Sequence, residues 1–551
     1  MLALGSATLI ITPRPAHAAF GVGFSISVDT SVSIPGGIGN FSDFPAAPGI
    51  SDGKISFLGL GSGDQIGLYF KYPTDPIRLL VDLNTLIPGG TGNFTDFNSS
   101  DPGITILDAS ILSGDLTAFY GRGSGDQSGV YVKSPFDAGR VIADRSTAIP
   151  GGTGSFTDFR ANSSISGNNV AFIGIGDSGQ TGVYVSYPTD PIRVAANLNT
   201  PIPDGTGNFT SFLPPNPILP PNPIISGDAV AFIGSGSGDQ QGIYRYLPPN
   251  PIFPDGSLTK LADKNTPIPG TTNSGYQTFQ FFHSVSMDGT NLALVGGAPG
   301  SAPFDDTFFP SQLGIYKDIG SGWQLVADLN TLVPGHLSAT FTSFGAVAID
   351  PGFVVFEAYD ADGVYGLYTD FGGPLSKIVA LGDTINGKTV TDFRWSQFGF
   401  SIGAAAQVAF AADFSDGSQG ITVATLTNGP CPLTRGYWKN HPSAWPVNSL
   451  TLGSQTYSKA ELLNILKSKT TSDASMILAR QLIGAKLNIA NGSDPAPVSG
   501  TITHADSLLS GFSGKLPYGV KTSSTTGKAL VTDSTTLDNY NNGLLTEFCG
   551  Q

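Results

Sequence analysis

Sulfur, histidine and glutamate are scarce in this chain. Its 551 residues include two cysteines, three methionines, five histidines and three glutamates, Glu357, Glu461 and Glu547. Thiol chemistry and Cys/His metal clusters have almost nothing to build on. Only 13% of residues are charged, and 27 Lys and Arg face 42 Asp and Glu, a net charge of −15. Without a basic stripe, no nucleic-acid partner is expected. No run reaches the ~18 apolar residues of a membrane span, so no membrane insertion is expected either. The G-x-S-x-G elbow and the H-E-x-x-H zinc pair are missing too.

Turn formers and aromatics are abundant instead: 72 Gly, 40 Pro, 35 Phe and 17 Tyr, with 40% apolar residues. Such a chain has ample core material and reads as all-β with many turns. Residues 1–18 hold a short apolar run, Leu2–Ile11, and end in Ala16-His17-Ala18, a small-x-small cleavage pattern. A basic stretch before that run is missing, so the expectation is a truncated signal peptide and a secreted or cell-surface protein.

Repeats carry the fold. The phrase IPGGxGxFxxF occurs at Ile34–Phe44, Ile87–Phe97, Ile149–Phe159 and Ile202–Phe212, and degrades at Ile268–Phe281, Val333–Phe344 and Ile385–Phe393. An ISG-type turn and an apolar run follow each, as in Val170-Ala171-Phe172-Ile173. Next comes a Gly with a Tyr two residues on, from Gly67/Tyr69 to Gly366/Tyr368, then Gly420 as the seventh. The fourth element has six copies, beginning at Arg78, Arg140, Arg193, Thr259, Gln324 and Ser376. Ile26-Ser27-Val28-Asp29 before SIPGG matches the missing one. Seven four-stranded units predict a seven-bladed β-propeller over 19–427, closed by an N-terminal strand. The blade phrases Ser164–Gly167 with Val170–Phe172, and Ile225–Asp228 with Val230–Phe232, resemble the repeats of bacterial secreted TolB-type propellers. That resemblance implies architecture and no activity.

A second domain is predicted over 428–551. Cys431 and Cys549 bracket it, and in an exported protein the default is one disulfide between them. Helical signals start here: Ser458–Glu461 is a capping box, Met476–Leu487 has helical spacing, and Thr503–Leu509 and Thr536–Phe548 are shorter candidates. The expected domain is small, disulfide-clasped and mainly helical. Gly436-Tyr437-Trp438-Lys439-Asn440-His441-Pro442, Trp445-Pro446 and Tyr540-Asn541-Asn542-Gly543 resemble a GYWKNH-type domain of bacterial extracellular proteins. The resemblance implies an exterior location and no known chemistry.

Candidate site residues follow from what is not repeated. Trp438, Lys439, His441 and Trp445 would make a carbohydrate or peptide platform, or the tryptophans would simply fill the core. Phe308 and Phe309 lie on an insertion in the fifth blade, and Pro-rich inserts at 213–225 and 247–256 mark the fourth. Asp360-Ala361-Asp362-Gly363 looks like the start of a calcium loop but has no closing Glu. Asp64, Asp126 and Asp239 share one hairpin position, where Asp-Gly chemistry serves the turn. No cofactor is expected, with calcium the alternative. The predicted function is an exported interaction protein using its propeller to bind an extracellular protein or glycan, rather than an enzyme. The alternative is a glycan- or ester-acting hydrolase or lyase, which would place paired carboxylates at the channel mouth.

Overall fold

The computed structural model describes residues 21–97, 111–160, 163–212, 223–249, 256–270, 277–299, 310–373, 375–393, 400–403, 406–427, 432–468, 472–493, 495 and 497–545. They divide into two compact units, one spanning Val22–Leu426 and the other running from Thr427 onward. The first is a seven-bladed β-propeller.

In the first blade, the innermost strand comes in two pieces, Phe41–Asp43 and Gly49–Ser51. Both pair antiparallel with Lys54–Gly61, followed by Ile66–Lys71 and, outermost, Arg78–Asp82. Six more sheets follow: three repeat this plan, and in the fifth and sixth the innermost strand is a single piece. Their strands are buried on both faces because neighbouring blades cover them, which is why they read as unbroken apolar runs. An aromatic cluster fills the first blade's core. Phe41 meets Tyr69 edge-on at 4.9 Å, and Phe57 stacks on Tyr69 at 5.6 Å. The ring of Phe41 lies where a side chain at Gly59 would stand, 2.6 Å from its Cβ position, so only glycine fits there. Phe94, Phe119 and Tyr131 repeat the arrangement in the second blade, and Phe341, Phe356 and Tyr368 in the sixth.

Repeated polar residues hold the loops of the first four blades. Gln65 ends the GSGDQ hairpin and clamps the IPGG loop: its Oε1 accepts from Ile38 N–H (2.9 Å) and its amide donates to the Ile38 carbonyl (2.8 Å). Gln127, Gln180 and Gln240 make the same two-way contact with Thr91, Thr153 and Thr206. Asp64, Asp126 and Asp239 sit at φ of 60°, 62° and 63°, the left-handed conformation their hairpins require. Asp82, which ends the outermost strand, accepts from Asn84 N–H and Thr85 Oγ1 and so caps the inter-blade loop.

The innermost strands form a closed ring, each touching the next and Phe400–Gly403 of the seventh blade touching Gly49–Ser51 of the first. A girdle of hydroxyls runs between them: Ser51, Ser113, Ser166 and Ser226 accept from the backbone N–H of Gly114, Gly167, Gly227 and Gly289 in the following blade. Ser401 donates to the Pro48 carbonyl at 2.6 Å, from last blade to first. From outside inward the seventh sheet reads Gly21–Asp29, Gln419–Thr427, Gln407–Phe414 and Lys388–Phe393, with Phe400–Gly403 also on Gln407–Phe414. Thr30 N–H donates to the Gln419 carbonyl, and Val28 packs with Ala409, Ile421 and Val423.

The second unit contains helices α1 (Arg435–Asn440), α2 (Lys459–Lys467), α3 (Ala474–Ala490), α4 (Ser499–Ser510) and α5 (Thr525–Asn541), with a hairpin, Ser449–Leu452 and Gln455–Ser458. The capping box of α2 forms as expected, Ser458 and Glu461 each holding the other's backbone N–H. Helix α5 starts eleven residues before its expected beginning. Its sequence is rich in Thr and contains Gly527, so local propensity hides it. The Ser524 cap and burial of Leu530, Leu537 and Tyr540 stabilise it. Cys431 and Cys549 lie outside the described residues.

Candidate functional site

Burial decides between the two readings of the tryptophans in favour of the core. Trp438 is 1% exposed and Trp445 7%. Trp438 Nε1–H donates to Asn488 Oδ1 and Trp445 Nε1–H to the Trp438 carbonyl, both at 2.8 Å. Both indoles therefore fill the core of their own unit. Asn488 also bonds both backbone groups of Leu433 and passes its amide to Asn541, which continues to Gln481 and Asp538. Trp438 of the GYWKNH phrase and Asn541 of the YNNG phrase are thus joined through Asn488 in one buried polar network. His441 stays exposed, stacked on Tyr437 at 4.4 Å, and Lys439 is half-buried. Phe308, Phe309 and most of the Pro-rich inserts lie outside the described residues.

Breaks in the repeat expose residues that pattern reading passed over. Asp288 and Asp350 end the innermost strands of the fifth and sixth blades, Phe281–Asp288 and Phe341–Asp350. By strand register they stand where earlier blades carry the girdle serines: Ser226 faces Ala229, Asp288 faces Asn291, and Asp350 faces Phe353. Burial pushes Asp350 up to about 6, and the neighbouring Asp288 carboxylate adds to the shift. Asp288 is itself raised by burial. A proton is therefore held in this pair at a pH where isolated carboxylates have lost theirs.

His283 lies on the same innermost strand as Asp288, as the extra residue of a bulge between Phe282 and Ser284, and burial lowers its imidazole to about 4. Glu357 replaces an apolar second-strand residue and is fully buried. Its Oε2 accepts from Ala346 N–H at 3.0 Å, occupying space that only Gly345 leaves open. Tyr365 hydrogen-bonds the same carboxylate and is pushed well above its ordinary value, first by burial and then by Glu357. This pair knits the blade together. Asp360 and Asp362 do converge, and their third companion is His336, which the sequence reading missed.

A family of unknown function, DUF7453, matches residues 34–289, the first four blades and the innermost strand of the fifth. No curated protein shows significant similarity to the chain. The β-propeller domain of the Trilobed protease from Pyrococcus furiosus is similar at 12% identity and TM-score 0.40, covering 71% of this chain and 98% of its own. The BP39L lectin from Burkholderia pseudomallei is similar at 13% identity and TM-score 0.32, covering 69% and 98%. A PL25 ulvan lyase is similar at 13% identity and TM-score 0.32, covering 72% and 94%.

Proposed function

We propose that the chain is an exported interaction protein whose propeller presents non-repeated loops and channel-rim residues to an extracellular glycan or protein. One observation carries this reading. The repeated polar residues, Gln65, Ser51, Asp82 and their equivalents, are engaged within the blades, so recognition falls to the non-repeated ones. Phe308 and Phe309 of the fifth-blade insertion, with His441 and Lys439, are the first candidates, and Asp288 with Asp350 the rim candidates. Ala16-His17-Ala18 and the resemblance of 431–551 to GYWKNH-type modules support export, as would a Cys431–Cys549 bridge. The place of Gly21–Asp29 beside Gln419–Thr427 supports ring closure by the N-terminal strand. No described helix is long and apolar enough to cross a membrane.

The Asp288–Asp350 pair favours a second reading, a glycan-acting hydrolase or lyase, because a carboxyl held protonated near pH 6 suits general acid chemistry. One experiment separates the two. The full chain is screened on a glycan array and in pulldowns from extracellular matrix, then assayed for turnover of each glycan bound. Retention lost in Phe308→Ala/Phe309→Ala or in Asp350→Asn, with no turnover by the parent, supports the binding scaffold. Turnover abolished by Asp350→Asn supports the enzyme, and no retention of any glycan or matrix protein sinks the first reading.

A further inference from the structure

The sixth blade breaks the repeat at three positions that lie together. Backbone bonds fix the equivalences. His336 N–H donates to the Val333 carbonyl as Gly37 does to Ile34, and Asp360 N–H donates to the Val364 carbonyl as Gly61 does to Gln65. Asp360 also pairs with Phe341 as Gly61 pairs with Phe41. The sixth blade therefore has Val333 for Ile34, His336 for Gly37, Asp360 for Gly61 and Val364 for Gln65.

These exchanges fit one another sterically. In the first blade a Cβ at Gly37 would meet Gln65 Oε1 at 2.4 Å, and a Cβ at Gly61 would meet Ile34 Cδ1 at 2.1 Å. Loss of the Gln amide opens the space His336 fills, and loss of the Ile Cδ1 opens the space Asp360 fills. What was an amide clamp between loop and hairpin becomes an imidazole facing two carboxylates. One nitrogen of His336 and one oxygen each of Asp360 and Asp362 lie within 4.8 Å of one another. They are the one such group among the described residues.

We propose that a divalent transition-metal ion of the zinc type binds here and bridges the IPGG-type loop to the hairpin in place of the glutamine clamp. The Asp360 side chain is 1% exposed, and its Oδ1 is taken by the N–H groups of Asp362 and Val364. Its Oδ2 accepts no hydrogen bond among the described residues and faces His336 Nε2 at 4.0 Å. That distance is too long for a hydrogen bond. It is somewhat wider than the ~3.4 Å between neighbouring ligands around tetrahedral zinc, a closure that side-chain rotation in an exposed loop supplies. An imidazole with two carboxylates suits zinc or its neighbours better than calcium, which takes six or more oxygens. Asp362, exposed, leaves the outer side open to water or a ligand.

The test uses the full chain freed of metal with a chelator and titrated with ZnCl2, CaCl2 in parallel. Saturable binding of one Zn2+ and a higher melting temperature are expected, with calcium far weaker. Asp360→Asn and His336→Gly should each weaken Zn2+ binding by more than about tenfold. The combined variant His336→Gly, Asp360→Gly, Val364→Gln rebuilds the amide clamp of the first four blades. It should fold and melt without responding to zinc. Absence of saturable Zn2+ binding by the parent, or an equal response in the combined variant, overturns the site.

Discussion

The hydroxyl of Ser51 in the first blade accepts a hydrogen bond from the backbone N–H of Gly114 in the second, at 3.0 Å. That contact repeats through the fourth blade and stops where Asp288 and Asp350 take the serine position. It makes the serine of the ISG-type turn an inter-blade joint. Ser51→Ala and Ser113→Ala should each lower unfolding free energy by about 1 kcal/mol, because the partner N–H is left without its acceptor. Chemical denaturation checks this. No loss in either variant would mean the joint carries no stability.

The clamp predicts a coupled pair. A Cβ at Gly90 would meet Gln127 Oε1 at 2.4 Å and Ile87 Cγ2 at 2.7 Å. Gly90→Ala should cost about 1–3 kcal/mol by overpacking. Gln127→Ala should cost about 1 kcal/mol for its lost hydrogen bonds. The double variant should cost less than their sum, since without the amide the methyl finds room. Strict additivity would show that the two residues do not meet.

In the second unit the sensitive residue is Asn488, buried with partners on Leu433, Trp438 and Asn541. Asn488→Leu should destabilise that unit by about 3 kcal/mol or more, since several buried polar groups lose their partners together. Tryptophan fluorescence during unfolding should show an early transition from Trp438 and Trp445. An unshifted transition would contradict the network's role.

Two half-buried groups on the innermost strands act on stability in opposite pH windows. His283 ionises near 6.5 when unfolded and near 4 when folded, so its contribution is present above pH 6.5 and lost as pH falls toward 4. His283→Gln should recover about 2 kcal/mol of the stability lost over that window. Asp350 runs the other way: its folded value of about 6 lies above the ordinary 3.8, so stability is present below 3.8 and lost as pH rises through 6. Asp350→Asn should gain about 1 kcal/mol above pH 6, after discounting for its partial exposure, and nothing below pH 4. Urea melts across pH 3–8 read both signs, and an Asp350→Asn gain confined to acid would refute the assignment.

The chain's own repeats were enough to count seven blades, because a blade is local: its turns, strands and aromatic residues recur with the same spacing wherever they fall. The hairpin Asp64 and the strand-ending Asp82 were legible as turn and cap residues for the same reason. Trp438 and Trp445 stayed open between platform and core, since a tryptophan beside charged neighbours reads alike whether it faces solvent or Asn488, fifty residues on. Asp288 with Asp350, and His336 with Asp360, were beyond pattern reading as well. Each pair joins residues that lie in different blades, or in a loop and a distant hairpin, and only the closed sheets bring them side by side. Repetition in one dimension encodes the scaffold. Where the repetition fails, three-dimensional packing decides which exceptions meet.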